Sequence, residues 1–272
     1  MTFSRRNFIG KLFAGIIGLT VLDAYWLEPY FIEWTEFDLS EEEDTDKIKA
    51  LHLTDMHIRS FGTFHRSLAK QINSRKPDVI LITGDTINHN SYFPFLIRFM
   101  EMVDIKIPKI AIIGNTEYSG NVDFAHLREV YSKYNGSLLI NSSQIFQARD
   151  RKFNIVGLDD YVHGNPDYAL ATKNIDRSLP VIVLNHCPVY REQIDQLGKE
   201  LDIRSRVILS GHTHGGQVTF FGKPLMTPYG SGDYVKGWYE NESSKMYVSK
   251  GVGTALVPVR FACRAEASIF YI

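Results

Sequence analysis

Short unbroken apolar runs punctuate the chain: Val79-Ile80-Leu81-Ile82, Ile110-Ala111-Ile112-Ile113, residues 153–158, Val181-Ile182-Val183-Leu184 and Val207-Ile208-Leu209. Runs this short and this rich in β-branched residues predict strands buried on both faces. Ahead of them, residues 31–39 are aromatic-rich and partly alternating, 40–46 form an acidic turn, and 48–53 alternate again, which predicts strand, loop and strand. Helical spacing fills the gaps, with Phe64, Leu68 and Ile72, then Phe95, Phe99 and Met102, then Phe124, Leu127 and Tyr131. Strand alternating with helix predicts an α/β fold. Beyond residue 215, Gly-, Pro- and Tyr-rich loops separate short strands such as Met246-Tyr247-Val248 and Ile269-Phe270-Tyr271, which predicts a mostly antiparallel closing section. No internal repeat or interdomain linker interrupts the body, so 48–272 reads as one domain, led by a strand and acidic loop over 25–47.

The first 24 residues have a different pattern. A basic head, Ser4-Arg5-Arg6-Asn7-Phe8-Ile9-Gly10-Lys11, precedes an apolar run over 12–22. As a helix that run rises only about 16 Å, short of a hydrocarbon core of roughly 30 Å, so residues 1–24 read as a signal segment rather than an ordinary spanning helix. The string Ser4-Arg5-Arg6-x-Phe8-Ile9 resembles the twin-arginine export motif, whose pathway moves folded proteins. Arg5, Arg6 and Lys11 flank one side of the run and Asp23, Glu28 and Glu33 the other, which orients the body to the outer side of the cytoplasmic membrane. Association with the cytoplasmic face is the alternative. No small-x-small cleavage site follows, so the segment is either a cleaved signal or a retained membrane anchor.

Composition narrows the partners. The 272 residues carry 30 Lys+Arg against 31 Asp+Glu, a net charge of −1 that leaves no electrostatic footprint for nucleic acid or an anionic membrane. With 44% hydrophobic and 22% charged residues the chain is neither disordered nor a multi-span membrane protein. Cys187 and Cys263 are too few for a disulfide framework; two buried thiols or a single bridge are the readings open to them.

The chemistry sits immediately after the strands. Asp55-Met56-His57 follows Leu53, Gly84-Asp85 follows Ile82, Gly114-Asn115 follows Ile113, Asn185-His186 follows Leu184, and Gly211-His212-Thr213-His214 follows Leu209. In open α/β sheets ligands bind at the carboxyl ends of strands, so these turns are placed to converge on one crevice. Oxygen and imidazole donors together suit Mn, Fe or Zn better than Ca. One such motif means little. Five in order, each at a strand end, point to two divalent metal ions.

This ordered set resembles the calcineurin-like metallophosphoesterases from about Ile48 to the C-terminus. Glu28-Pro29, Gly211-His212-Thr213-His214-Gly215-Gly216-Gln217, Gly251-Val252-Gly253-Thr254 and Pro258-Val259-Arg260-Phe261 resemble its exported or membrane-associated bacterial branch. The resemblance implies a four-layer αββα sandwich and a phosphodiesterase. In it Asp55, His57 and His214 hold one metal, Asn115, His186 and His212 the other, Asp85 bridges, and a hydroxide between the ions attacks phosphorus. It also implies a phosphoester substrate, lipid- or envelope-derived in some relatives. The alternatives are a pyrophosphohydrolase acting on UDP-diacylglucosamine in lipid A synthesis and a degenerate module that binds metal and phosphate with little catalysis.

The sequence departs from the family pattern at one point. The third motif there reads Gly-Asn-His, whereas this chain has Gly114-Asn115-Thr116-Glu117. The missing imidazole serves leaving-group departure, a role worth roughly 10²–10⁴-fold. Either the substrate has a good leaving group, or Glu117, His89 or His163 substitutes, or turnover is slow; Asp85, Asn115 and Glu117 are the catalytic candidates. His52, His65, His89, His126 and His163 otherwise read as surface or supporting residues. Arg260 and the Gly215-Gly216-Gln217 turn are candidate phosphate contacts, with an ion pair to Glu266 the alternative for Arg260. Phe220, Phe221, Leu225 and Met226 are either core or an acyl-chain surface.

Overall fold

In the computed structural model, residues 5–40 and 47–272 are described; Ser4 of the basic head and acidic residues 41–46 lie outside the described residues, as does the side chain of Arg6. Two six-stranded sheets stack face to face, with helices on both outer faces. The first sheet has the order β1 (Glu33–Asp38), β14 (Glu266–Tyr271), β2 (Lys49–Leu53), β3 (Val79–Thr83), β4 (Lys109–Ile112), β5 (Gly136–Leu138). The second runs β12 (Gly237–Glu240), β13 (Lys245–Val248), β9 (Ser205–Ser210), β8 (Val181–Leu184), β7 (Arg151–Gly157), β6 (Ser142–Ala148).

Why these runs are continuous rather than alternating follows from the layering. Successive side chains of a strand point to opposite faces. In β3, Val79 and Leu81 enter the core between the sheets while Ile80 and Ile82 face the helices. The helix layer on the first sheet is α2 (Thr63–Arg75), α3 (Phe93–Met102) and α5 (Phe124–Lys133), with the short α4 (Asn115–Ser119) following β4; α6 (Tyr168–Thr172) and α7 (Arg191–Glu200) cover the second. The expected four-layer arrangement is what the chain forms.

Three expectations need correction. The buried face of α3 is Phe93, Leu96, Phe99 and Met100, and Met102 is exposed at the helix end; the stripe is shifted from the one read through Phe95 and Met102. The closing section is mixed rather than mostly antiparallel: β12 pairs antiparallel with β13, but β13 lies parallel to β9, and β14 is parallel to β1 and antiparallel to β2. At the N-terminus, α1 (Arg5–Leu22) continues through a π-helical segment, Asp23–Leu27, so the apolar stretch is Asn7–Leu27 with mean hydropathy 1.5. Its 21 residues make a helix long and apolar enough to cross a membrane, a test that a signal sequence also passes. Tyr25, Trp26 and Leu27 supply the length that the strictly aliphatic run lacked.

His52 is no surface residue. It is fully buried between the sheets with Nε2 2.8 Å from Thr83 Oγ1, and burial lowers its pKa to about 3. Unfolded, it titrates near 6.5, so between these values the unfolded chain holds the extra proton and stability falls as pH drops from 6.5. His52→Gln keeps a donor for Thr83 and cannot titrate. Between pH 7 and 5 the natural chain should lose about 2 kcal/mol more than this variant, read by urea unfolding.

Candidate metal centre

The sequence motifs occupy the turns after β2, β3 and β4 of one sheet and β8 and β9 of the other, so the crevice is formed by the carboxyl ends of strands from both sheets rather than one. The turns reverse abruptly. Asp55 (φ 53°), His57 (43°), Asp85 (52°), His212 (72°) and His214 (52°) all adopt left-handed backbone, which costs about 1–2 kcal/mol for a non-glycine residue. Gly84, at φ 89°, and Gly114 make room between them: a Cβ on Gly84 would lie 2.7 Å from His186 Nδ1, and one on Gly114 2.3 Å from Asp85 Oδ1.

All seven expected ligands come together. His57 Nε2 and His214 Nε2 are 3.0 Å apart, and His214 Nε2 is 3.4 Å from Asp55 Oδ1. Beside them, Asn115 Oδ1 lies 3.0 Å from His186 Nε2 and 2.9 Å from His212 Nδ1. Asp85 stands between the groups, with Oδ2 3.6 Å from His57 Nε2 and Oδ1 3.4 Å from His186 Nε2.

The far side of three rings sets which nitrogen faces the cluster. His186 Nδ1 donates to the Thr83 carbonyl (2.7 Å), His212 Nε2 to the Tyr229 carbonyl (2.8 Å), and His57 Nδ1 to Asn88 Oδ1 (2.9 Å). Each turns its other nitrogen toward the cluster, the arrangement by which ligating histidines are oriented. Burial, and then the neighbouring His57, hold His214 well below its usual pKa, and burial with His186 lowers His212. Burial opposes charge on His186 too, but Asp85, Asp55 and Asp160 outweigh it and raise that ring to about 9. Burial likewise disfavours the Asp85 anion, and His186 and His57 overcome it to keep this carboxyl below its ordinary range. Imidazole nitrogens packed against buried carboxylates are a donor set for a cation, and among the described residues three groupings of His, Asp and Cys each have donor atoms within 4.8 Å of one another. The residues fit divalent metal.

The remaining candidates lie elsewhere. Glu117 is buried, and its carboxylate accepts backbone N–H groups from Asp85, Thr86, Ile87 and Gly114. Its oxygens tie the Asp85 and Gly114 turns together and are not turned to the cluster, although burial and the Asp85 charge push its carboxyl up to about 8. Thr116 N–H donates to Asp85 Oδ1 at 2.9 Å, while its buried Oγ1 has no partner. His89 and His163 are exposed, the former bonded to Ser91. Arg260 is completely buried and donates to the carbonyls of His214, Lys250, Gly251, Gly253 and Cys263, so it is neither a phosphate contact nor an ion pair with Glu266. The 215–217 turn is also occupied: Gly215 N–H goes to Thr213 Oγ1, Gly216 N–H to Thr213 O and Gln217 N–H to His214 O. Both cysteines are free buried thiols, with Cys187 donating to Asp160 and Cys263 to the His214 carbonyl. Asn88 and the Tyr229 carbonyl carry no motif; only the folded chain reveals them as supports.

Comparison with known proteins gives the family. Residues 48–216 match the calcineurin-like phosphoesterase family. The chain is 30% identical to YkuE of Bacillus subtilis, an uncharacterised metallophosphoesterase, over 98% of this chain and 96% of that protein. It is 28% identical to the phosphodiesterase YaeI of Escherichia coli over 98% of each. Among solved structures, phosphopantetheinyl hydrolase of Mycobacterium tuberculosis superposes with a TM-score of 0.48 at 11% identity, covering 79% of this chain and 96% of that one. With its family match spanning more than half its length and its strand-end donors gathered at one crevice, this chain belongs to the calcineurin-like phosphoesterases and is a hydrolase.

Proposed function

We propose that the protein is a two-metal phosphodiesterase in which Asp55, His57 and His214 hold one ion, Asn115, His186 and His212 the second, and Asp85 both. The observation that carries this is the division of labour within Asp85, one oxygen facing His57 and the other His186. Mixed imidazole and oxygen donors favour Mn, Fe or Zn. When bound, such ions activate water and neutralise charge on the phosphoryl oxygens. The protein's own part is to hold seven donors rigidly: Glu117 clamps the Asp85 and Gly114 turns, and the Thr116 N–H orients Asp85. The stretch 7–27 contacts the membrane, and the Arg5, Arg6 and Lys11 flank keeps the body outside it.

Protein loaded with Mn, Fe or Zn should approach two ions per chain and hydrolyse bis-nitrophenyl phosphate; a chain that holds no metal under any loading sinks the proposal. No imidazole stands at Thr116, so rate should depend steeply on leaving-group pKa. Thr116→His should raise turnover of alkyl diesters by about 10–100-fold, leave nitrophenyl esters nearly unchanged, and leave metal content as it was, because protonation helps most where the departing oxygen is most basic.

A further inference from the structure

Exposed apolar side chains are concentrated beside the metal centre. Among the described residues beyond Phe31, seven of the eleven exposed large apolar side chains are Phe220, Phe221, Leu225, Met226, Tyr229, Leu256 and Val257. They belong to two adjoining loops. β10 (Thr219–Phe220) and β11 (Lys223–Pro224) form a hairpin whose turn, Phe221-Gly222, has φ of 48° and 78°. That two-residue geometry favours Asn-Gly, and this chain places there a Phe with its ring wholly in solvent, unfavourable both for backbone and for burial. The second loop, 254–259, is pinned to the first by Gln217, whose amide donates to Val257 O and accepts from Ala255 N–H.

Both loops are tied to the base of the apolar N-terminal helix. Arg260 N–H donates to Ala24 O, the Glu28 carboxylate accepts from Ala262 and Cys263 N–H, and Phe261 packs on Phe220 with centroids 5.5 Å apart. Trp26, Leu27, Tyr30 and Phe31 are exposed at that base. Both loops also spring from the site: the hairpin leaves directly after His214, the Tyr229 carbonyl supports His212, and Gly253 N–H bonds Asp55 O.

We propose that the 220–226 hairpin and the 256–257 loop insert into the interfacial layer of the bilayer that residues 7–27 enter, so that the metal centre opens at headgroup level and acts on phosphodiesters whose apolar part lies in the membrane. This rests on the membrane contact and the phosphodiesterase reading proposed above. Aromatic and aliphatic side chains on a loop tip gain there what they lose in water, and an aromatic ring beside a helix end suits the boundary between lipid and water. The occupant is lipid because the patch adjoins an apolar helix of spanning length instead of standing alone on the surface.

The test uses the full chain in phosphatidylethanolamine–phosphatidylglycerol vesicles, with a fluorophore on Phe221→Cys or, as control, on Ile145→Cys at the edge of the second sheet. The Phe221 site should be quenched by nitroxides on the lipid acyl chains and shielded from aqueous iodide, and the Ile145 site the reverse. A chain that fails to float with vesicles overturns both the anchor and the docking. One that floats with an iodide-accessible Phe221 label overturns the docking alone, and shielding without nitroxide quenching overturns it in favour of a protein cover. For the substrate class, Phe221→Ser combined with Leu225→Ser and Met226→Ser should leave bis-nitrophenyl phosphate turnover unchanged and lower hydrolysis of a bilayer-embedded chromogenic phosphodiester by on the order of tenfold or more. Equal rates on the embedded substrate, or equal losses on both, overturn this part, and a metal-loaded natural chain inert on both substrates overturns the phosphodiesterase reading while the quenching result stands.

Discussion

Asp85→Asn is expected to lower phosphodiester turnover by about three orders of magnitude or more, equivalent to about 4 kcal/mol of barrier. Asparagine preserves the size of the side chain and one oxygen, so the fold should survive. What disappears is the negative charge between two imidazole groups, together with the second oxygen that lets one side chain serve both of them. A carboxylate shared by two cations sees the field of both, which is why its loss should exceed that of any ligand serving one ion. Elemental analysis should show metal content falling well below that of the natural protein. A variant that retained both its metal and its turnover would remove Asp85 from the chemistry and the two-metal reading with it.

The largest loss of stability should come from Arg260→Ala, at about 3–5 kcal/mol. Against a typical total of about 5–15 kcal/mol that is enough to leave the protein partly unfolded at moderate temperature. The guanidinium has no exposure, and its donors converge on five backbone carbonyls from three segments, two of which support candidate donors: His214 itself and the 251–253 turn behind Asp55. Truncation strands those carbonyls in a dry interior. Arg260→Lys retains charge but not the planar fork, so an intermediate loss is expected. Urea unfolding of the metal-loaded variants measures both. Had the guanidinium bound phosphate, alanine would raise KM and leave the unfolding midpoint untouched, and that outcome would refute the structural role.

The candidate donors were legible because chemistry and secondary structure coincide in sequence: each stands directly after an apolar run, and a run of that length is a buried strand wherever it pairs. The same reasoning could not reach Glu117. Read along the chain it is an acid two residues past Asn115, a natural stand-in for the missing imidazole, yet its partners Asp85, Thr86 and Ile87 lie about thirty residues upstream and appear only when β3 and β4 are paired. Arg260 misled for a similar reason, since a lone guanidinium in a loop looks free until the carbonyls around it are counted. His52 alternates correctly in its strand, but its face became interior only because a second sheet covers the first.

By itself, then, the sequence determined what is local: which segments are strands, which donors end them, and which donor chemistry a metal would meet. Tertiary structure decided what depends on neighbours distant in the chain. It chose which strands sit side by side, turned Arg260 and Glu117 into scaffolding, and left Phe220, Phe221, Leu225 and Met226 in the open although their composition alone fits a core. The physical reason is that backbone propensity and side-chain alternation act over a few residues, whereas burial is a property of whatever the rest of the chain packs against, and no residue carries that in its own identity.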